Sequence, residues 1–424
     1  MLALRKENFL NHQDHRAMKP SSVLNQWIIS LTLALATIFS SAYAQPTTQD
    51  IPIDHPTVTQ NATATTIALI PPQPQLSANG YVLMDAISGK VLAQKNMNQR
   101  MEPASLTKMM TLYLTFQALQ SGQIHLNDPV RISKKAWRMT GSRMFLKVGT
   151  EATVEQLVRG VIIASGNDAC VALAQYVAGT EATFAELMNQ MAKKLDMKDT
   201  HYVDSTGMPN EQHYSTPYDM ALLARATIRD FPEYYPYFNE KWITYNNIRQ
   251  PNRNRLLWRD TTVDGLKTGH TDQAGFCLVA SAKRNDMRLI SVIMGAPSDG
   301  IRANSSEALL NYGFRFYKTY PLFSAHQTLT QSRVWFGKDK YVNLGLQKPL
   351  NVTIPIADYP QLKATMSLDT RITAPVDEGK NYGNITVMLN KQIIAVVPLV
   401  ALQNDPKAGF FSRIVDRVAM LLKG

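Results

Sequence analysis

Pro103-Ala104-Ser105-Leu106-Thr107-Lys108-Met109-Met110-Thr111 is the stretch on which the reading of this chain turns. It sets a serine and a lysine three residues apart at the head of an apolar, helix-compatible run that continues to about Gln120, with Gly122 as its stop. Residues at i and i+3 share a helix face, so the Ser105 hydroxyl and the Lys108 amine point at one spot. A serine hydroxyl is a weak nucleophile at neutral pH and needs a base within hydrogen-bond reach. A lysine can be that base only where burial or a nearby cation lowers its pKa. S-x-x-K by itself also describes many ordinary helix starts.

Two further stretches change that balance. Ala164-Ser165-Gly166-Asn167-Asp168-Ala169 lies between two helical runs, in a turn from which side chains can project into a cleft. Val263-Asp264-Gly265-Leu266-Lys267-Thr268-Gly269-His270 leads into the strand-like run at Gly275. Taken singly, the first reads as a helix cap and the second as a turn before an edge strand. Taken in order, S-x-x-K, S-x-N and K-T-G closely resemble the motif set of penicillin-binding proteins and class A β-lactamases, with Gly166 where S-D-N has its aspartate.

The chain has 424 residues, 45% hydrophobic and 18% charged, with a formal net charge of +11. That is globular, and long enough for two or three domains. No Lys/Arg tract dominates and no nucleic-acid motif is present. The positive charge therefore points to anionic surfaces, phospholipid or acidic polymer, and no nucleic acid is expected as a partner. Two cysteines, Cys170 and Cys277, make no disulfide framework. Eight scattered histidines without an H-E-x-x-H pattern argue against a zinc peptidase, and no metal or organic cofactor is expected.

Residues 1–44 read as an export signal. Met18-Lys19-Pro20 precedes an apolar run over 27–39 and then Ser40-Ser41-Ala42-Tyr43-Ala44, with cleavage after Ala44 and Met18 as an alternative start. Residues 45–75 are rich in Thr, Pro, Gln and Asn and read as a disordered tether. From 76 to 320 strands come first, then a helical middle, then strands and a last helix from about Ser305 to Tyr317. That order predicts one sheet closed by distant parts of the chain with helices packed on it. Short strand-like runs over 321–403 predict a small all-β domain. Over 404–424, Phe410, Phe411, Ile414, Val415, Val418, Leu421 and Leu422 gather on one side of a helical wheel and basic residues on the other, the mark of an interfacial helix.

The three motifs, with Asn252-Arg253-Asn254 before Leu256-Leu257-Trp258 and with Gly313-Phe314-Arg315-Phe316, resemble the low-molecular-mass D-alanyl-D-alanine carboxypeptidases, also called penicillin-binding proteins 5 and 6. The likeness runs from about Gly80 to the end; the long N-terminal tether is the main departure. It implies an α/β, β-lactamase/transpeptidase-like fold, an antiparallel sheet with helices on it, followed by the all-β domain. It also implies roles. Ser105 attacks the D-Ala-D-Ala carbonyl and forms an acyl-enzyme; Lys108 takes its proton and is kept neutral by the cation of Lys267; Ser165 relays a proton to the leaving nitrogen. Asn167 holds the substrate amide and Lys108. Lys267, Thr268 and Arg302 face the terminal carboxylate. Gly269 lets substrate backbone lie close, and the backbone N–H groups of Ser105 and His270 form an oxyanion hole.

The partners so implied are peptidoglycan stem peptides, β-lactam antibiotics and, through the tail helix, the periplasmic face of the inner membrane. Three other readings of the same site are an endopeptidase, a weak β-lactamase and a non-catalytic cell-wall scaffold. The β-domain and tail disfavour a β-lactamase, which needs neither, and no Glu-containing loop of the class A kind is evident. A complete motif set disfavours the scaffold.

Overall fold

Along Gly80–Asp85 (β1), Tyr81 and Leu83 point one way and Val82 and Met84 the other, and all of them are buried. A strand covered on both faces belongs between two layers of helix. The structure, a computed structural model, describes residues 47–53, 70–369 and 371–423. The expected export signal and residues 45–46 and 54–69 of the expected tether lie outside the described residues.

β1 turns at Ser88-Gly89 into Val91–Lys95 (β2). The helical middle follows, with Lys108–Gln120 (α1), Val154–Ile162 (α2), Asn167–Ala178 (α3), Glu181–Lys194 (α4) and Pro217–Asp230 (α5). The chain then returns as Val263–Thr271 (β3), Gly275–Arg284 (β4) and Met287–Ala296 (β5), and Asp299–Phe316 (α6) closes it. The sheet order is β2-β1-β5-β4-β3, antiparallel throughout. This is the antiparallel sheet with helices that the element order predicts.

Alternation sorts the side chains. Leu83, Leu278, Leu289 and Ile293 face Leu309 and Leu310 of α6. Val82, Met84, Val279, Ile290 and Val292 face the opposite layer, which contains α1 and α5. A one-residue slip in register would exchange the two sets, so the pairing is tightly specified. α1 is apolar all round and is buried along nearly its whole length, which is why it runs through the core and not along its surface.

The last third is all-β. Tyr317–Phe323 pairs with Leu350–Pro355, and the strands Thr328–Trp335, Tyr341–Gly345, Leu362–Leu368, Asn381–Leu389 and Gln392–Ala401 join a seven-stranded sheet. Its core is separate and includes Val342, Leu344, Ile354, Ile385, Val387 and Leu399.

Several expectations need correction. α6 begins at Asp299, not near Ser305, because Ser298 caps it by accepting from Ile301 N. The β-region begins at Tyr317, straight after α6, and Pro321 sits inside its first strand where the register shifts. Part of the tether is ordered. Thr47–Ile51 forms an edge strand of the seven-stranded sheet, with Ile51 and Ile53 against that domain's core. Ile70 packs on the α6 side of the central sheet, and Gln73 exchanges hydrogen bonds with the backbone of Gln94. A sheet edge supplies backbone partners to any extended chain, so a polar composition does not prevent pairing there. The final helix is Phe410–Lys423 (α7), not the whole of 404–424. Asp405 is buried in the β-domain, where its backbone bridges Val376 and its carboxylate accepts from Asp339 N.

Asp85, at the end of β1, ties the two regions together. Its Oδ1 accepts from Ile87 N, Ser88 N and Ser88 Oγ, and its Oδ2 accepts from Thr319 Oγ1 at 2.8 Å. Thr353 Oγ1 lies 2.6 Å from Ser88 Oγ and 3.0 Å from Thr319 Oγ1. Hydrogen bonds to a charged group contribute about 1.5–3 kcal/mol each, and orphaned buried donors add a further cost. Asp85→Ala should therefore lower the thermal midpoint by several degrees and expose the 316/317 junction to limited proteolysis. A variant as stable and protease-resistant as the parent would show that the seam is held by other contacts.

Candidate active site

Ser105 and Lys108 lie where a short 3-10 turn, Ala104–Thr107, runs into α1. Side chains at i and i+3 eclipse in a 3-10 turn, which sets one directly over the other. Lys108 Nζ donates to Ser105 Oγ at 2.8 Å and to the Thr206 carbonyl at 2.6 Å. Ser105 is half-buried, whereas Lys108 is 0% exposed.

A second serine–lysine couple faces the first. Ser165, with a φ of 56°, sits in the left-handed region just before α3. Lys267 reaches it from the middle of β3, donating to Ser165 Oγ at 3.0 Å and to Thr268 O at 3.0 Å. The loop beneath Ser165 is fixed by Asp168, whose carboxylate accepts from Met144 N and Leu146 N, both at 3.0 Å. A Cβ on Gly166 would lie 2.8 Å from Asp168 Oδ1 and 3.1 Å from Met144 N. Glycine at the centre of this S-x-N motif thus lets the loop close over it.

β3 passes directly beside the nucleophile. A Cβ on Gly269 would fall 3.2 Å from Ser105 N, 3.2 Å from Leu106 N and 3.0 Å from Pro103 O. Glycine thus lets β3 pack directly against the backbone of the nucleophile turn. His270 follows, exposed, with its ring against Phe276 at 4.0 Å. Ser105, Ser165, Thr268, Gly269, His270 and Arg302 all line one cleft of about 450 Å³.

Burial dominates the electrostatics. It pushes both ammonium groups below the ordinary lysine range, Lys267 furthest because it also faces Lys108 and Arg253. An isolated buried charge costs several kcal/mol, so such a group sheds its proton. Lys108 is thereby suited to take a proton from Ser105. Lys108 and Lys267 each disfavour the other's charge, on top of what burial does to both. For Lys108 burial is the main cause, the Arg253 cation adds to it and the Asp204 carboxylate opposes it.

Asn167 and Arg302 carry further contacts. Asn167 donates to Thr140 O at 2.7 Å and to Met208 Sδ, and Lys108 is held by Thr206 in its place. Arg302 is buried, donating to Gly269 O and Cys277 O and pairing with Asp299, so it braces the ends of β3 and β4 as well as lining the cleft. Sequence reasoning singled out neither Arg253 nor the Thr206 carbonyl as a site group. Arg253 stands at the cleft mouth, donating to Ser142 Oγ at 2.7 Å. Its only signal was a basic residue between two asparagines.

Comparison with known proteins agrees with this geometry. Residues 67–298 match the family model of D-alanyl-D-alanine carboxypeptidase, and residues 317–407 match that of the penicillin-binding protein 5 C-terminal domain. The D-alanyl-D-alanine carboxypeptidase DacC of Escherichia coli is 47% identical over 82% of this chain and 89% of its own length. The crystal structure of penicillin-binding protein 5 from Haemophilus influenzae superposes with a TM-score of 0.77 at 41% identity, covering 79% of this chain and 99% of that one. Penicillin-binding protein D2 of Listeria monocytogenes in its ampicillin-bound form is similar at 29% identity and a TM-score of 0.53, over 57% of this chain and 100% of that one. Two serine–lysine couples at one cleft, both lysines buried, in a chain so matched, place it in the D-alanyl-D-alanine carboxypeptidase family.

Proposed function

We propose that this protein is a serine-type D-Ala-D-Ala carboxypeptidase that removes the terminal D-alanine from peptidoglycan stem pentapeptides and is acylated by penicillin. The observation that carries this reading is the Ser105–Lys108 contact at 2.8 Å, with the lysine wholly buried. Lys108 accepts the Ser105 proton as Oγ attacks the penultimate carbonyl. The N–H groups of Ser105 and His270 stabilise the oxyanion. Ser165, with Lys267 behind it, delivers a proton to the leaving D-alanine nitrogen. The Thr268 hydroxyl and the positive end of the cleft near Arg302 receive the terminal carboxylate. Water then hydrolyses the acyl-enzyme.

Three expectations follow for the site. Intact-mass analysis with penicillin should show one adduct, absent in Ser105→Ala; an adduct retained in that variant would reassign the nucleophile. Arg302→Ala should lower kcat/KM on an acyl-D-Ala-D-Ala peptide about ten- to a hundred-fold, because a charge-assisted hydrogen bond contributes about 1.5–3 kcal/mol. The parent enzyme should be poor on the same peptide amidated at its C-terminus. Equal release of D-alaninamide and D-alanine would instead favour an endopeptidase. The third concerns pH. A base whose pKa is depressed works above that pKa, so acylation should fall as pH drops through the value for Lys108. Arg253 lowers that value, so Arg253→Gln should move the acid limb to higher pH. A limb that stays put would remove Arg253 from the tuning of Lys108.

The export signal and the tail support a location at the periplasmic face of the inner membrane. No described helix is long and apolar enough to cross a membrane. α7 instead presents Phe410, Phe411, Val415, Leu421 and Leu422 outward, each more than half exposed. An exposed apolar helix face next to basic residues fits reversible binding at a lipid interface. Asp405 belongs to the β-domain, so the informative truncation removes Gly409 onward. That form should be fully active and should no longer sediment with vesicles containing anionic phospholipid. Undiminished sedimentation would rule α7 out as the anchor.

A further inference from the structure

Between α4 and α5 the chain makes a loop closed by backbone pairing of His201 with Tyr214 and tied by Ser215 to Met101, ahead of the nucleophile turn. This loop is packed onto the nucleophile turn. Thr206 offers its carbonyl to Lys108 Nζ at 2.6 Å. Gly207, with a φ of +83°, lies so close to the turn that a Cβ would meet Ala104 O at 1.8 Å and Thr107 Oγ1 at 2.7 Å. Asp204 Oδ1 shapes the loop by accepting from Thr206 N, Thr206 Oγ1 and Gly207 N.

His213 joins the two parts through its side chain. The ring is 2% exposed, and its Nε2 lies 2.8 Å from the Oγ1 of Thr107, the residue just before Lys108. Val203 N donates to Nδ1 at 3.3 Å, which requires a lone pair there and puts the proton on Nε2. Nε2–H then donates to the Thr107 hydroxyl. Asp204 Oδ2 stands 3.8 Å from Nδ1 and the Tyr202 ring meets the imidazole edge-on at 5.6 Å. Burial lowers the pKa of His213, with Asp204 opposing the fall, which favours the neutral ring.

We propose that His213 is a positioning residue for acylation: its imidazole clamps the 201–215 loop to the Ser105–Lys108 turn and so holds the Thr206 carbonyl against the Lys108 amine. Lys108 has two partners, the nucleophile and this carbonyl. The carbonyl fixes the direction in which the amine's lone pair can meet the Ser105 proton. Loosening the loop would leave the serine and the cleft in place but let the base turn away from it. The effect then belongs to the chemical step and not to ligand binding. This inference rests on the acyl-enzyme reading above.

The test is stopped-flow acylation of the full chain by penicillin, separating the dissociation constant of the non-covalent complex from the acylation rate constant. His213→Leu keeps the volume and removes the donor. It should slow acylation about ten- to a hundred-fold with the dissociation constant little changed. His213→Gln places an amide N–H near the Nε2 position and should recover most of that loss. Thr107→Val, which changes almost no volume, should slow acylation alone, and the Thr107→Val/His213→Leu double variant should fall little further than either single one. If His213→Leu does not fold, Thr107→Val and His213→Gln still decide the matter. A Thr107→Val enzyme that acylates at the parent rate overturns the clamp. So does a glutamine variant as slow as the leucine one, because a role in packing alone would not distinguish them in this way. A parent chain that forms no adduct would overturn the acyl-enzyme reading itself; acylation in the parent with indifferent variants overturns only the clamp.

Discussion

Lys108 and Lys267 are both buried, and neither forms an ion pair among the described residues. Two ammonium groups in one low-dielectric site repel each other and lack water, so they cannot both carry a full charge at neutral pH. The fold supplies each with a serine hydroxyl and a backbone carbonyl in place of a carboxylate. A carboxylate would have stabilised the ammonium form and removed the basicity. Hydroxyl and carbonyl oxygens accept hydrogen bonds without fixing the proton on nitrogen. The nearest acids are committed elsewhere: Asp168 to the amides of Met144 and Leu146, Asp204 to those of Thr206 and Gly207. Much of the surrounding polar structure can be understood as keeping negative charge away from the two lysines.

Holding such a site requires a rigid frame assembled from remote segments. The nucleophile turn follows β2, the second serine precedes α3, and the second lysine is on β3. β3 is an edge strand paired only with β4, so its free side is available to the Ala104–Thr107 turn and to a ligand lying alongside. β4 and β5 in the middle of the sheet carry the apolar residues that fix register. A shift of one residue in β3 would replace Lys267 with Leu266 at the cleft. The hydrophobic pattern of strands far from the chemistry thereby sets the position of the lysine.

The tail obeys a different rule. Asp416 on α7 accepts from Phe336 N at 2.7 Å and pairs with Arg333. The helix is thus docked on the β-domain by its polar side, and its large apolar side chains point away from the protein core. Burying a large apolar side chain is worth about 1.5–3 kcal/mol, and a helix free to choose would turn that face inward. Docking by the charged side leaves the apolar face for another apolar phase. This arrangement is what supports the reading of the tail as an interfacial element, more than its amphipathic pattern, which an ordinary core helix would share.

The sequence made the serines, the lysines and the sheet legible because each carries a side-chain signature: S-x-x-K at a helix start, K-T-G before an apolar strand, alternating apolar residues on both faces of β1. It left other features dark for a common reason. The acceptor that orients Lys108 is a main-chain carbonyl, and every residue has one; nothing in Ser205-Thr206-Gly207 singles out that oxygen before the loop is seen folded over the turn. His213 was equally silent, since one histidine far along the chain from Ser105 gives no spacing to read, and only the folded loop brings it 2.8 Å from Thr107. The ordered part of the N-terminal segment escaped notice because pairing at a sheet edge depends on the edge and not on the composition of the strand that joins it. Arg253 acts on the lysines through space, an effect set by distance and burial and not by motif. What the sequence shows is therefore the chemistry that side chains perform, and what it conceals is the backbone and the field that orient them.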